Sequence, residues 1–329
     1  MKGRWLNPAL ATALALALVA ACLIGPTPLG PEALARGLAG QGEAGVILWQ
    51  VRLPRALAAA LVGAVLGACG AALQGLLRNP LAEPGVLGVS ATASLAATAT
   101  ILWGLVQASP WVLPIAAIAG ALAATALLAA LAPRVGSAVT LILIGVGLSS
   151  VAGALMSLAL NFAPNPFTLA DLVNWSLGSV ANRSLEDLAL AAPFAALGLG
   201  LLALAAPGLR VLALGEEAAE GAGLDLGQTR ALAVAGCGLA TGASVALAGA
   251  VGFVGIVAAH LVRPLVGHDP SRTLLPAALA GGLLLVLADL VIRLTPTGQE
   301  LKLGVVVALI GAPAFVAIAA RRRSPETVA

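Results

Sequence analysis

The chain has 329 residues, 60% of them hydrophobic and 9% charged, with a net charge of +3 and a mean hydropathy of +1.04. A soluble domain carries about 25% charged residues, so this composition excludes a water-soluble fold and leaves an integral membrane protein. With a charge balance this small, no nucleic-acid partner is expected, and the distribution of charge along the chain matters more than its sum.

A helix needs about 20 apolar residues to cross the hydrocarbon core. Apolar runs of that order fall at 8–25, 56–77, 86–106, 112–132, 139–160, 188–206, 231–250, 252–266, 274–292 and 303–320. They predict an all-α polytopic membrane protein with about ten transmembrane helices, forming a single domain over residues 1–329. The run at 252–266 is short. The first run, in "MKGRWLNPALATALALALVAACLIG", has a basic start and ends in "LVAAC". It resembles a secretory signal with a cleavage site at Cys22, but it serves equally as a first span. Because the rest of the chain is also membrane-like, the first-span reading is preferred.

Ten spans put both termini on one side, expected to be the cytoplasm. The inner segments then hold Lys2, Arg4, Arg78, Arg134, Arg210, Arg230, Arg263, Arg272, Arg321, Arg322 and Arg323, eleven of the seventeen basic residues. The outer segments hold Arg36, Arg52, Arg55, Arg183, Arg293 and Lys302. This bias follows the positive-inside rule. Trp49, Trp103, Trp111 and Trp175 fall near the outer boundary, where indole rings favour the interface.

The stretch "WQVRLPRAL" at 49–57 puts Arg52 and Arg55 directly before an apolar run, on the side where positive charge is scarce. Pro54 and the polar residues ahead of it place both at the water boundary. They either snorkel toward lipid phosphates or meet a partner. The spans are rich in small residues. "GAVLG" (Gly63 to Gly67) and "GLATG" (Gly238 to Gly242) are GxxxG patterns that let helix backbones approach closely. "ALVGAVLG" and "ALAGAVGFVG" also hint at an internal repeat.

Charge inside a span is the default functional flag. Asp289 in "LLLVLADLVIRL" lies four residues before Arg293 on one helix face, so a structural ion pair is expected. The mid-span positions are otherwise apolar apart from Gln74, Ser149, Ser150 and Ser244. An ion-coupled carrier would be expected to keep an ionisable or unwound site near mid-membrane. No enzyme constellation appears. The chain has two lysines, Lys2 and Lys302, and no GxxxxGK[ST], so any ATPase belongs to another polypeptide. Cys22, Cys69 and Cys237 show no paired spacing, and two histidines, His260 and His268, are too few for a metal site, so no metal or cofactor is expected.

The longest inner connection, residues 207–230, carries Glu216, Glu217, Glu220 and Asp225 between Arg210 and Arg230. It reads as a short helix, a Gly break and a second short element. It is either a solvated loop or a docking surface for a soluble partner.

Several segments together give the chain a family likeness. They are "RLPR" at 52–55, "QGLLRNPLAEPGVLGVS" at 74–90, "NWSLGS" at 174–179, "LALGEEAAEGAGLDLGQTR" at 212–230, "GFVGIVAAHLVRPLVGHDPSRTLLPAALAGG" at 252–282, "ADLVIR" at 288–293 and "GVVVALIGAPAFV" at 304–316. With these the chain resembles the FecCD-type permease subunits of bacterial ATP-driven importers for iron–siderophores, haem and cobalamin. The resemblance implies a ten-helix inner-membrane subunit without enzymatic activity. It would pair with a second copy of itself, with two copies of a cytoplasmic ATP-binding subunit and with a periplasmic substrate-binding protein. It assigns ATPase coupling to Leu214, Gly215, Glu216, Glu217, Ala218, Gly223 and Leu224, and binding-protein docking to Arg52, Arg55 and Arg293. Two positions depart from the family pattern: Ala259 stands where Pro usually precedes the His, and Lys302 replaces the Pro of "ELPxG". Iron–siderophore is the leading substrate expectation, with cobalamin or haem as the alternative and an ion-coupled secondary transporter as a more distant one.

The topology is open to a direct test in a background lacking Cys22, Cys69 and Cys237. Cysteine in place of Gly40 or Ala170 should react with an impermeant thiol reagent in intact spheroplasts. Cysteine in place of Arg134 or Ala218 should react only after lysis, and labelling of position 218 from outside would overturn the orientation.

Overall fold

A computed structural model describes residues 5–131, 134–135, 138–295 and 300–320. Lys2, Arg4 and Arg321 to Arg323 of the inner charge set lie outside the described residues. The helices in chain order are α1 (Leu6–Leu23), α2 (Pro31–Leu38), α3 (Gly42–Val46), α4 (Leu53–Leu76), α5 (Val89–Leu102), α6 (Val112–Leu131), α7 (Ala138–Asn161), α8 (Pro166–Ser176), α9 (Leu185–Leu212), α10 (Glu216–Gly221), α11 (Leu226–Ala248), α12 (Val254–Val262), α13 (Pro270–Leu294) and α14 (Leu303–Ala320). No strand occurs among the described residues. Each of the ten apolar runs falls on a helix. Among the described residues, seven helical segments are long and apolar enough to cross a membrane, and three, at Val89–Leu102, Val254–Val266 and Leu303–Pro313, are shorter.

Local chemistry sets the boundaries. Asn165 caps α8 by accepting from the Thr168 N–H at 2.9 Å, with Pro166 at the first helical position. Ser184 and Asp187 form a reciprocal capping box at the start of α9. Asp225 caps α11 and Asp269 caps α13. A π-helical turn, Ile47–Arg52, runs directly into α4, so the helical path starts well before the apolar run. Pro193 and Pro207 lie inside α9 and Pro276 inside α13; neighbouring helices can compensate the freed carbonyls in such bundles.

α4 is the centre of the bundle, packed against α13, α11, α12 and α9. Small residues make this possible. A Cβ on Gly63 would sit 2.2 Å from the Gly281 carbonyl oxygen of α13, and one on Gly67 would sit 2.1 Å from that of Ala277. One turn further along, Gly70 meets Gly255 of α12 in the same way. The expected GxxxG role therefore holds at α4, and also at α11, where Gly238 and Gly242 receive Thr125 and Ala121 of α6. Lipid offers no hydrophobic drive for helix association, so this close van der Waals packing holds the core together. The apparent repeat does not survive. "ALVGAVLG" is mid-helix in α4, whereas "ALAGAVGFVG" runs from the end of α11 through an extended link into α12.

The bundle is layered by burial: the most apolar windows of α4 and α11 are each 78% buried, but that of α7 only 17%. Gly63→Ala should therefore lower the melting temperature in detergent, by overpacking worth about 1–3 kcal/mol. Gly200→Ala on α9, where a Cβ meets nothing within 4 Å, should leave it unchanged or slightly raised. Equal effects at the two sites would sink the packing argument.

Candidate functional site

At one end of the bundle the three arginines of the expected docking set converge with Asp289. Arg55 donates to Asp289 in a fork, Nη2 to Oδ1 at 2.7 Å and Nε to the same oxygen at 2.9 Å, and its Nη2 also pairs with Glu300. Arg293 pairs with the other Asp289 oxygen and donates through Nη1 to the Ala21 carbonyl at 2.8 Å. Arg52 donates to the carbonyls of Cys22 at 3.1 Å and Leu23 at 2.7 Å, and to that of Thr27. The last turn of α1 leaves carbonyls without helical partners and carries the negative end of the helix dipole. Two guanidinium groups satisfy it, so α1, α4 and α13 are joined there.

Two of the three residues of the expected docking set are buried. Arg52 is 3% and Arg293 7% exposed; Arg52 donates to three carbonyls, and Arg293 to the Ala21 carbonyl and Asp289, while its Nε has no acceptor among the described residues. Arg55 stands at the edge, with its partner Glu300 much more exposed than Asp289. The Asp289–Arg293 ion pair expected from the i,i+4 spacing is present and extends to a third group, Arg55.

The opposite end gathers the expected coupling residues. Gly215 takes φ 110°, a conformation other residues rarely adopt, and turns the chain from α9 into α10. α10 holds Glu216, Glu217 and Ala218 and is anchored by the fully buried Ala219. Gly223, at φ 83°, makes the next turn, and Leu224 donates its N–H to the Ala219 carbonyl. Glu216 pairs with Arg230 of α11 at 2.8 Å, so the short helix is braced against a long one. The short helix and Gly break match the sequence reading; the second element is the start of α11 itself. Leu214 is 73% exposed, and Glu217 and Ala218 also face outward. At the same end Asp269 pairs with Arg210 at 3.2 Å. Burial pushes the Asp269 carboxyl up, but bonds from the Ser271 hydroxyl and the Arg272 and Ser271 N–H groups, with the Arg210 charge, outweigh it and hold the carboxyl low.

Two features escaped the hydropathy reading. Glu83 lies between α4 and α5, and its carboxylate accepts from the Phe253 N–H at 2.9 Å, where the backbone enters α12. Both line a cavity of about 350 Å³ with Leu66, Ser94 and Ser149, at the level of the middle of α4. The expectation of only hydroxyls and amides at mid-span is thus corrected: a carboxylate sits there, on irregular backbone. The signal available was "EPG", a turn between two apolar runs. The second feature is a cavity of about 730 Å³ between the end of α5, α8 and the link to α9. Gln74 and Ser244 are buried, whereas Ser150 is exposed on α7.

A bundle of long apolar helices with ion clusters at both ends and a helix break between them defines a multi-pass membrane transport protein. The sequence profile of the FecCD transport family matches residues 13–321, and the chain belongs to that family. The chain is 43% identical over 280 residues to the vitamin B12 import system permease protein BtuC of Salmonella paratyphi A, covering 85% of this chain and 84% of that protein. It is 40% identical over 314 residues to BtuC of Citrobacter koseri, covering 95% and 93%. A solved structure described as of the metal-chelate ABC transporter type, in an inward-facing conformation, superposes with a TM-score of 0.84 at 30% identity and covers 97% of this chain and 99% of that one. The protein is a multi-pass inner-membrane permease.

The arginine cluster carries its own test. Asp289→Asn leaves Arg55 and Arg293 without a shared counter-charge and should cost about 3–5 kcal/mol, the usual loss when one partner of a buried pair is removed. Glu300→Gln removes an exposed partner and should cost about 0–1 kcal/mol. Thermal unfolding in detergent distinguishes them, and a mild effect at Asp289 would show that the cluster does not hold α1 to the bundle.

Proposed function

We propose that the chain is the permease of an ATP-driven importer whose cargo is vitamin B12 or a closely similar corrinoid. The cargo rests on the names of relatives at 43% and 40% identity. A ferric siderophore is the second reading, favoured by the metal-chelate type of the solved relative.

The observation that carries a translocation path is the open face of α7. Gly147, Ser150, Ala154, Ser157 and Asn161 recur at spacings of three and four and are all exposed. Residues so spaced share one helix face. A small, polar stripe suits a water-filled path or a second copy of the chain better than lipid. The reading therefore has two copies facing each other, with α7 between them. The three shorter apolar helices complete ten spans, with both termini in the cytoplasm. The break at Glu83 and Phe253 lies beside α7, since the Ser149 hydroxyl donates to the Gly85 carbonyl. Irregular backbone is tolerated at membrane depth where it lines a cavity.

In this reading Leu214 to Ala218, with Gly223 and Leu224, dock a cytoplasmic ATP-binding subunit, one on each permease copy. The brace from Glu216 to Arg230 passes displacement into α11. Arg55 remains as the docking cation for a periplasmic binding protein, whose carboxylate would replace Glu300. Arg52 and Arg293 support that surface from beneath.

Reconstitution with the two partner proteins tests the reading. Proteoliposomes should take up cyanocobalamin only with ATP. A Gly-Ser insertion between Glu217 and Ala218 should abolish uptake without loss of membrane insertion, because a Gly-rich joint behaves as coil and transmits no displacement. Glu300→Gln should tighten binding-protein association by freeing Arg55. Uptake without ATP, or undiminished uptake by the insertion variant, would defeat the mechanism, and uptake of ferric siderophore alone would move the cargo to the second reading.

A further inference from the structure

The 730 Å³ cavity beside α8 has an unusual lining. Arg183 and Lys302 bring two cations and Asp171 one carboxylate, and Trp103 and Trp175 bring two indole rings. The Arg183 guanidinium lies over the Trp175 ring, 5.7 Å from its centroid. Arg183 Nε and Trp175 Nε1 are both shielded from water and have no acceptor among the described residues. No carboxylate among the described residues lies within ion-pair distance of Arg183.

Buried donors are nearly always paired, and an orphan asks for an explanation. Arg183 as a whole is half-buried, and only its Nε is shielded without a partner. Burial lowers the Arg183 guanidinium from its ordinary value, opposed by the charge of Asp187, yet arginine stays charged in proteins. The volume falls within the range of small-molecule sites, about 300–1,000 Å³. It is larger than a single partner side chain would fill. The cavity lies at the end of the bundle that holds Lys302 and the close of α11, which is the outer end under the proposed orientation.

We propose that this cavity is an entry subsite for an anionic, oxygen-bearing arm of the cargo, held by Arg183 and Lys302 with the indole rings against its apolar part. In a corrinoid that arm is the phosphodiester of the nucleotide loop. The inference rests on the importer reading and adds to it a specificity element within the permease.

The test uses the full chain in phosphatidylcholine nanodiscs, with radiolabelled cyanocobalamin and with cobinamide, which lacks the phosphodiester. Wild type should bind cyanocobalamin at least tenfold more tightly than cobinamide. Arg183→Gln should erase that difference, Arg183→Lys should keep part of it, and Lys302→Gln should reduce it. Matching melting temperatures guard against a folding defect. Equal affinity for the two probes, no binding of either by wild type, or a preference that survives Arg183→Gln would overturn the subsite. So would an Arg183-dependent loss of binding-protein association with cyanocobalamin affinity unchanged, which would make the occupant an acidic side chain. A cyanocobalamin preference lost when nanodiscs contain phosphatidylglycerol would identify a lipid phosphate as the occupant and also overturn it. Proteoliposome uptake separates the two levels. If wild type and Arg183→Gln import cyanocobalamin with the same KM, the subsite falls and the importer stands. If wild type imports nothing while Arg183-dependent binding persists, the importer reading falls and the subsite stands.

Discussion

The contact between α4 and α13 is the constraint on which the rest of the structure depends. Along most of its length it is a backbone-to-backbone contact, with Gly63 and Gly67 against Gly281 and Ala277. At one end it changes character and becomes electrostatic, through Arg55, Asp289 and Arg293. The two parts do different work. Close packing supplies dispersion attraction that lipid cannot match, since lipid tails and leucine are equally apolar. The charges supply position: a carboxylate forked by one arginine and paired with another admits few alternative registers. A slide of α13 along α4 by one turn, about 5.4 Å, would break the ion cluster and drive side chains into the glycine notches together.

The same cluster explains why α1 belongs to this bundle although its apolar window is only 11% buried. So little contact would hold a helix weakly. The carbonyls of Ala21, Cys22, Leu23 and Thr27 instead receive two guanidinium groups rooted beside α4 and in α13. A lipid-exposed helix end with unmet carbonyls would be expensive, and the arginines meet that need while remaining buried themselves. Charge at this boundary is therefore a joint between helices.

What could be read in the chain follows from how each property is encoded. Crossing helices depend on a sum of hydropathy over many residues, so all ten runs fall on helices, and the GxxxG glycines of α4 and α11 mark packing faces. The short helix between two glycine turns was also legible, because Gly215, Gly223 and the acidic residues between them are local signals. Contacts between distant segments were not. Arg55 and Asp289 are 234 residues apart, and nothing near Arg52 announces that its partners are carbonyls of α1. An arginine beside tryptophan at a membrane boundary has the same appearance whether it faces water or lies buried. Glu83 was missed for a related reason. It lies in a link between apolar runs, and only the fold brings that link to the depth of mid-α4, against Phe253.

These two misses belong to one physical pattern. Besides the Asp289–Arg293 pair within α13, three ionisable groups away from the surface lie against helix ends: Glu83 before α5, Arg183 between α8 and α9, and Arg52 against the end of α1. A helix end supplies free backbone donors or acceptors that a mid-helix position lacks, so a charge can be solvated there by the protein itself. Arg52 shows this fully met, by three carbonyls. Glu83 shows it partly met, by one N–H at the head of α12. Arg183 shows it unmet on the Nε side, over an aromatic ring and beside an open cavity. The order of satisfaction runs from Arg52 to Glu83 to Arg183. The completely paired group joins helices. The less completely paired groups line cavities, Glu83 the smaller and Arg183 the larger.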